Sequence, residues 1–97
     1  LWQELVHDQH YLTPEVALVN LGKVFFDGGQ FTQAKNCFSD ALMLAPDFLD
    51  ARYFLALVAA QLQDWVLARH EIENILFVAA GHAGAQALAR YIDAKAT

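Results

Sequence analysis

The sequence predicts an all-α protein built as a helical repeat, and three observations carry that expectation. Apolar residues recur at helical spacing along most of its 97 residues, and no stretch has the strict alternation of a half-buried strand. Helix-start and turn signals punctuate the chain at regular intervals. The chain also repeats itself: adding 34 to Leu21, Gly22, Phe31, Ala34 and Phe38 reaches Leu55, Ala56, Trp65, Ala68 and Ile72. Self-similarity at such a period is the signature of stacked helical hairpins.

Each element has a local reason. Leu1/Leu5 and Trp2/Val6 are i,i+4 pairs, so residues 1–12 read as a short amphipathic helix, the tail of a preceding unit or a segment folded over the array. Thr13-Pro14-Glu15 is a helix start. The hydroxyl can accept from first-turn amides, proline suits the first helical position, and the glutamate complements the helix dipole. That helix is expected to run to about Asp27 and stop at Gly28-Gly29. A second covers about 31–44 and ends before Pro46, which disfavours helical geometry at Ala45. Asp47 is expected to cap a third helix over about 48–62, and Asp64 a fourth over about 65–79 that Gly81 terminates. A fifth, alanine-rich helix over about 84–95 carries Leu88, Tyr91 and Ile92 along one side.

Composition limits the function classes. With 57% apolar and 18% charged residues the chain is one small folded domain, and so high an apolar fraction implies burial against something beyond itself. A net charge of −5, with Lys23, Lys35, Arg52, Arg69, Arg90 and Lys95 scattered, argues against nucleic-acid binding, which needs clustered cations. The longest apolar run, residues 54–60, is far below the roughly 20 residues that span a bilayer, so no membrane insertion is expected. A single cysteine forms no internal disulfide. Starting at Leu1 without an initiator methionine or a signal core, the sequence reads as an excerpt or a processed form. The compartment stays open, with the cytoplasm preferred.

The repeated residues have a packing logic. Antiparallel helices approach closely where small side chains face each other, and Gly22/Ala34 and Ala56/Ala68 supply those in the two hairpins. Phe31 and Trp65 wedge the base of each returning helix, and Phe38 and Ile72 fill the space between successive hairpins. Leu21-Gly22, Phe25, Ala34, Phe38 and Pro46 resemble the tetratricopeptide repeat (TPR) pattern, with Glu15 in place of its tryptophan and Leu18 filling the large-residue place. The second copy departs at Ala56, Ala59, Ile75 and Ala80 but keeps the length. The resemblance implies a right-handed superhelical array of two TPR helix hairpins plus a C-terminal capping helix. Its divisions are an N-terminal segment 1–14, a first repeat 15–48, a second 49–82 and the capping helix 83–97.

In TPR proteins the first helix of each hairpin lines a concave surface that binds peptides or helices. By that resemblance the inward stripe here is Val16, Val19, Lys23 and Phe26, then Asp50, Tyr53, Leu57 and Ala60, then Ala87 and Tyr91. The lining is mostly apolar and aromatic and suits an amphipathic helix or an extended segment with apolar anchors. Val19 and Phe54 stand where TPR modules that clamp a C-terminal carboxylate carry Lys and Asn, which argues against that subclass. Ordinary core, covered by residues 1–12 or a neighbouring unit, is the competing reading of the stripe.

Other candidates are weaker. His7 and His10 could share a metal but lack further ligands at fixed spacing, so no metal or cofactor is expected. His70, beside Arg69, Glu71 and Glu73, reads as part of a solvated face with an Arg69/Glu73 i,i+4 pair. Asp27-Gly28-Gly29-Gln30 and Gly81-His82-Ala83-Gly84 are interhelical turns and not phosphate loops, with His82 expected to contact the end of the preceding helix. Cys37 lacks an activating base and reads as a small core residue; Met43 stands alone. No nucleophile, base and orienter assemble by spacing, so no enzyme is expected. The expected function is a protein-interaction scaffold. The alternatives are a small chaperone resembling those of bacterial type III secretion, a self-assembly module, and an enzyme built on the histidines.

Overall fold

A computed structural model describes residues 13–96. Expectations for residues 1–12, including the His7/His10 pair, lie outside the described residues. Five helices follow one another: α1 Pro14–Asp27, α2 Phe31–Leu44, α3 Leu49–Gln61, α4 Trp65–Val78 and α5 Ala83–Ala96, with no strand among the described residues. Each helix packs on the next. α1 also touches α3, and α3 touches α5, whereas α2 and α4 do not meet. The molecule is long, 55 × 28 × 20 Å, and its radius of gyration of 14.7 Å exceeds the roughly 12–13 Å of a compact chain this size.

The turns inside the two hairpins are one structure used twice. Gln30 N–H donates to Phe25 O (2.8 Å) and Gly29 N–H to Phe26 O (3.0 Å); 34 residues on, Asp64 N–H donates to Ala59 O (2.9 Å) and Gln63 N–H to Ala60 O (3.0 Å). This pair of bonds is the Schellman closure, which requires a left-handed residue after the helix cap. Gly29 supplies it with φ +78°, and Gln63 takes it with φ +60° at a strain of about 1–2 kcal/mol. The residue after each left-handed position then caps the returning helix. Asp64 accepts from Leu67 N–H at 3.2 Å, as expected, while Gln30 makes no side-chain cap bond.

The connections between hairpins repeat too. Ala45 (φ −140°, ψ 84°) and Ala79 (φ −136°, ψ 78°) end α2 and α4, donating to Ala41 O and Ile75 O. Ala80 therefore reproduces the geometry that Pro46 was expected to impose. Two caps differ from the sequence reading. Thr13 holds the N-cap position without a side-chain bond, and α3 starts from Phe48 and not Asp47. His82 serves both helices: its backbone N–H donates to Ala79 O at 3.0 Å at the end of α4, as expected, and its Nδ1 accepts from Ala85 N–H at 3.0 Å, capping α5.

Two apolar cores share α3. Val19, Ala34, Phe38 and Ala41 enclose one with Ala51, Leu55 and Val58 of α3; Ala68, Ile72, Ile75, Ala85, Leu88 and Ile92 enclose the other with Ala56, Ala59 and Ala60. Phe38 is fully buried and stacks on Phe54, ring centroids 5.5 Å apart at 20°, while α1 passes over its other side. A Cβ on Gly22 would sit 2.6 Å from the Phe38 ring, so the glycine is needed to admit the aromatic. One period later Ile72 replaces the ring and Ala56 restores the methyl, with Leu88 in the place of Phe54. The second repeat departs by a volume exchange that keeps the seam filled.

Gly22→Ala should therefore lower stability by roughly 1–3 kcal/mol, as overpacking does. Adding Phe38→Ile should recover part of the loss, giving a non-additive pair. Urea unfolding of the three variants checks this; additive losses would contradict the seam.

Candidate partner-binding face

Because α1, α3 and α5 touch in succession, the first helices of the hairpins share one side of the molecule. The predicted lining divides there by helix rotation. Val19 is only 3% exposed and Ala60 only 6%, so both belong to the cores and not to an open stripe. Phe26 is half-buried and turned inward, edge-to-face on Phe31 at 5.4 Å. Val16, Asp50 and Leu57 stay at least partly open, and Lys23 and Ala87 are exposed.

Two contacts knit the open side. Lys23 of α1 places its Nζ 4.8 Å above the Phe54 ring centroid on α3, a cation–π contact across the first helix boundary. Tyr53 crosses the second boundary, with its ring 5.1 Å from His82 and 6.0 Å from Phe54. A Cβ on Gly84 would lie 2.7 Å from the Tyr53 hydroxyl, so the first turn of α5 can approach only as glycine. Tyr91, 46% exposed, turns its ring toward Trp65 of α4 (6.4 Å), with Lys95 Nζ 5.7 Å above it. The face is thus an aromatic seam, Phe54 to Tyr53 to His82, bordered by Lys23 and Asp50.

At one end of this side lies a depression of ≈ 320 Å³ between the start of α1 and the α2–α3 connection, lined by Glu15, Val16, Ala45, Asp47 and Phe48. Of these, only Val16 was predicted. Glu15 is its neighbour in the first turn of α1, and Ala45, Asp47 and Phe48 come from the connection, where helical periodicity gives no signal.

The opposite side corrects two expectations. Glu71 is 5% exposed, and its Oε1 accepts from Arg52 Nη1 at 2.7 Å, while Arg52 Nη2 donates to Pro46 O at 2.7 Å. This fork ties α3, α4 and the inter-hairpin connection together and is no solvated face. Arg69 reaches across to Asp93 of α5 at 2.6 Å and not to Glu73. His70 meets Asn74 at 3.2 Å. The second helices also expose apolar side chains one period apart: Met43 at 80% and Phe77 at 91%, Leu44 at 57% and Val78 at 68%. The repeat itself was the signal that Met43 does not stand alone.

Reactive chemistry is sparse among the described residues. Cys37 is buried, and desolvation followed by the nearby Asp40 carboxylate raises its thiol above the ordinary value, which disfavours the nucleophilic thiolate. No group of three or more His, Cys, Asp or Glu among the described residues is placed to hold a metal ion. No helix among them is long and apolar enough to cross a membrane. Comparison with family models, curated proteins and solved structures gives no match.

The two ion pairs should differ in worth. Glu71→Ala leaves the Arg52 guanidinium, 19% exposed, without its carboxylate and should cost about 2 kcal/mol. Arg69→Ala removes a pair exposed at 45% and 62% and should cost less than about 1 kcal/mol. Urea midpoints decide; equal losses would contradict the burial argument.

Proposed function

We propose that this chain is a TPR-type module, two helix hairpins closed by a capping helix in a right-handed superhelical array, that binds a partner peptide or amphipathic helix on the side built by α1, α3 and α5. One observation carries this: α1, α3 and α5 touch in succession while α2 and α4 stay apart, so the first helices make a continuous surface and the second helices splay. Supporting it, the intra-hairpin turn recurs after 34 residues with the same hydrogen bonds and the same left-handed position. The shared side carries half-buried Tyr53, Phe54 and Leu57, and such aromatic and apolar anchors take up the apolar face of a guest helix. In this reading Val16, Lys23, Asp50, Tyr53, Leu57 and Tyr91 meet the partner, whereas Val19 and Phe26 support the surface from beneath. The role is adaptor-like and includes no catalytic step.

Self-association is the second reading, favoured by Phe77, Val66 and Met43, exposed at 91%, 83% and 80% on the second helices. Oligomers form when such apolar surface finds its own copy.

Selection of helical peptides from a displayed library, followed by calorimetry, separates the two. A selected peptide should lose at least about tenfold in affinity, roughly 1.4 kcal/mol, on Tyr53→Ala with Leu57→Ser, and nothing on Phe77→Ser. Binding indifferent to the first pair, or absent throughout, would contradict the adaptor reading. A mass that rises with concentration and falls back in Phe77→Ser would assign the chain to self-assembly.

A further inference from the structure

The depression between the start of α1 and the α2–α3 connection has a floor and a rim of different chemistry. Val16, Ala45 and Phe48, all half-buried, give it an apolar floor from two separate parts of the chain. Its ≈ 320 Å³ has room for one large apolar side chain. Glu15 and Asp47 form its rim, and Asp50 stands exposed in the first turn of α3. None of these three carboxylates is ion-paired among the described residues.

Four of the protein's six lysines and arginines are engaged elsewhere. Arg52 is bound to Glu71 and Pro46 O, Arg69 to Asp93, Lys23 stands over Phe54 and Lys95 over Tyr91. Negative potential at the rim is therefore left for a partner to neutralise, in a chain whose net charge is already −5. Acidic residues early in α1 and α3 also complement their helix dipoles, but Asp47 precedes the first turn of α3 and faces the cavity.

We infer that this depression seats one large apolar side chain of the partner segment, flanked within a helical turn by Lys or Arg that pair with Glu15, Asp47 and Asp50. The inference rests on the adaptor reading and narrows it. The guest is a basic amphipathic segment, not an acidic or neutral one. The apolar anchor supplies affinity, and the cations fix its direction along the face and accelerate encounter. An acidic guest would bring like charges to the rim and be rejected.

The test uses the full chain and three synthetic helical peptides with one shared apolar face and a phenylalanine anchor flanked by Lys, Gln or Glu. The Lys peptide should bind at least about tenfold more tightly than the Gln peptide, an advantage that shrinks with added salt. Asp47→Asn with Glu15→Gln should abolish that advantage while leaving the Gln peptide unaffected. Asp40→Asn, a change of charge outside the depression, should leave it intact. Amide shifts at Val16 and Phe48 should report the seated anchor. Equal affinity for all three peptides, or equal losses from Asp40→Asn, would overturn the charge selectivity while the apolar face survives. Failure of every peptide to shift Val16, Tyr53 or Leu57 would instead remove the adaptor reading beneath it.

Discussion

Everything in this molecule leans on α3. Six of its thirteen residues are buried, and they divide between two cores: Ala51, Leu55 and Val58 toward the first hairpin, Ala56, Ala59 and Ala60 toward the last two helices. A helix buried on two sides cannot carry an ordinary amphipathic stripe, and most of its buried positions are alanine, which lets both neighbours come close. Neither hairpin can hide its apolar surface alone, so the shared helix makes two marginal units into one domain. Its strip of Asp50, Tyr53, Phe54 and Leu57 is the centre of the candidate face for the same reason: these residues lie outside the two buried sets and stay exposed or half-buried.

The two repeats solve one packing problem with different side chains. In the first, a phenylalanine at the seam needs a glycine above it; in the second, an isoleucine leaves room for an alanine. The backbone hardly notices. Gln63 accepts a left-handed conformation that Gly29 adopts freely, and Ala80 replaces Pro46 without moving the connection. Geometry imposed by neighbouring helices thus overrides local preference where the two disagree. Local preference decides where packing is absent, as at the Asp64 cap.

Much of the fold was legible because its signals are local. Helix bounds fell within about two residues of expectation, since periodicity, Gly28-Gly29 and Asp64 act over a few positions. The face was legible only as a stripe. A spacing of three or four residues puts Val16, Val19, Lys23 and Phe26 on one side of α1, but whether that side opens outward or inward depends on how far α2 and α3 rotate around it. Val19 turned in and half-buried Phe26 packs against the first core, while Val16 is half-buried and Lys23 exposed. Glu71 was misread because its partner, Arg52, is 19 residues away and on another helix. The lining of the depression was missed because Ala45, Asp47 and Phe48 lie in a connection, where position follows from the packing of three helices and not from any repeat.

In the proposed role the partner meets what stacking leaves over, and that face is only as firm as the coupling between the two cores. Native-state hydrogen exchange on Leu55→Ala measures that coupling most directly. Leu55 faces the first core alone, at 4% exposure, so the truncation removes contacts from one side of α3. If α3 joins both cores, amides of α4 and α5 should lose protection along with those of α1 and α2, by about 2–4 kcal/mol throughout. Loss confined to α1 and α2, with α4 and α5 unchanged, would mean two independent hairpins and no common face.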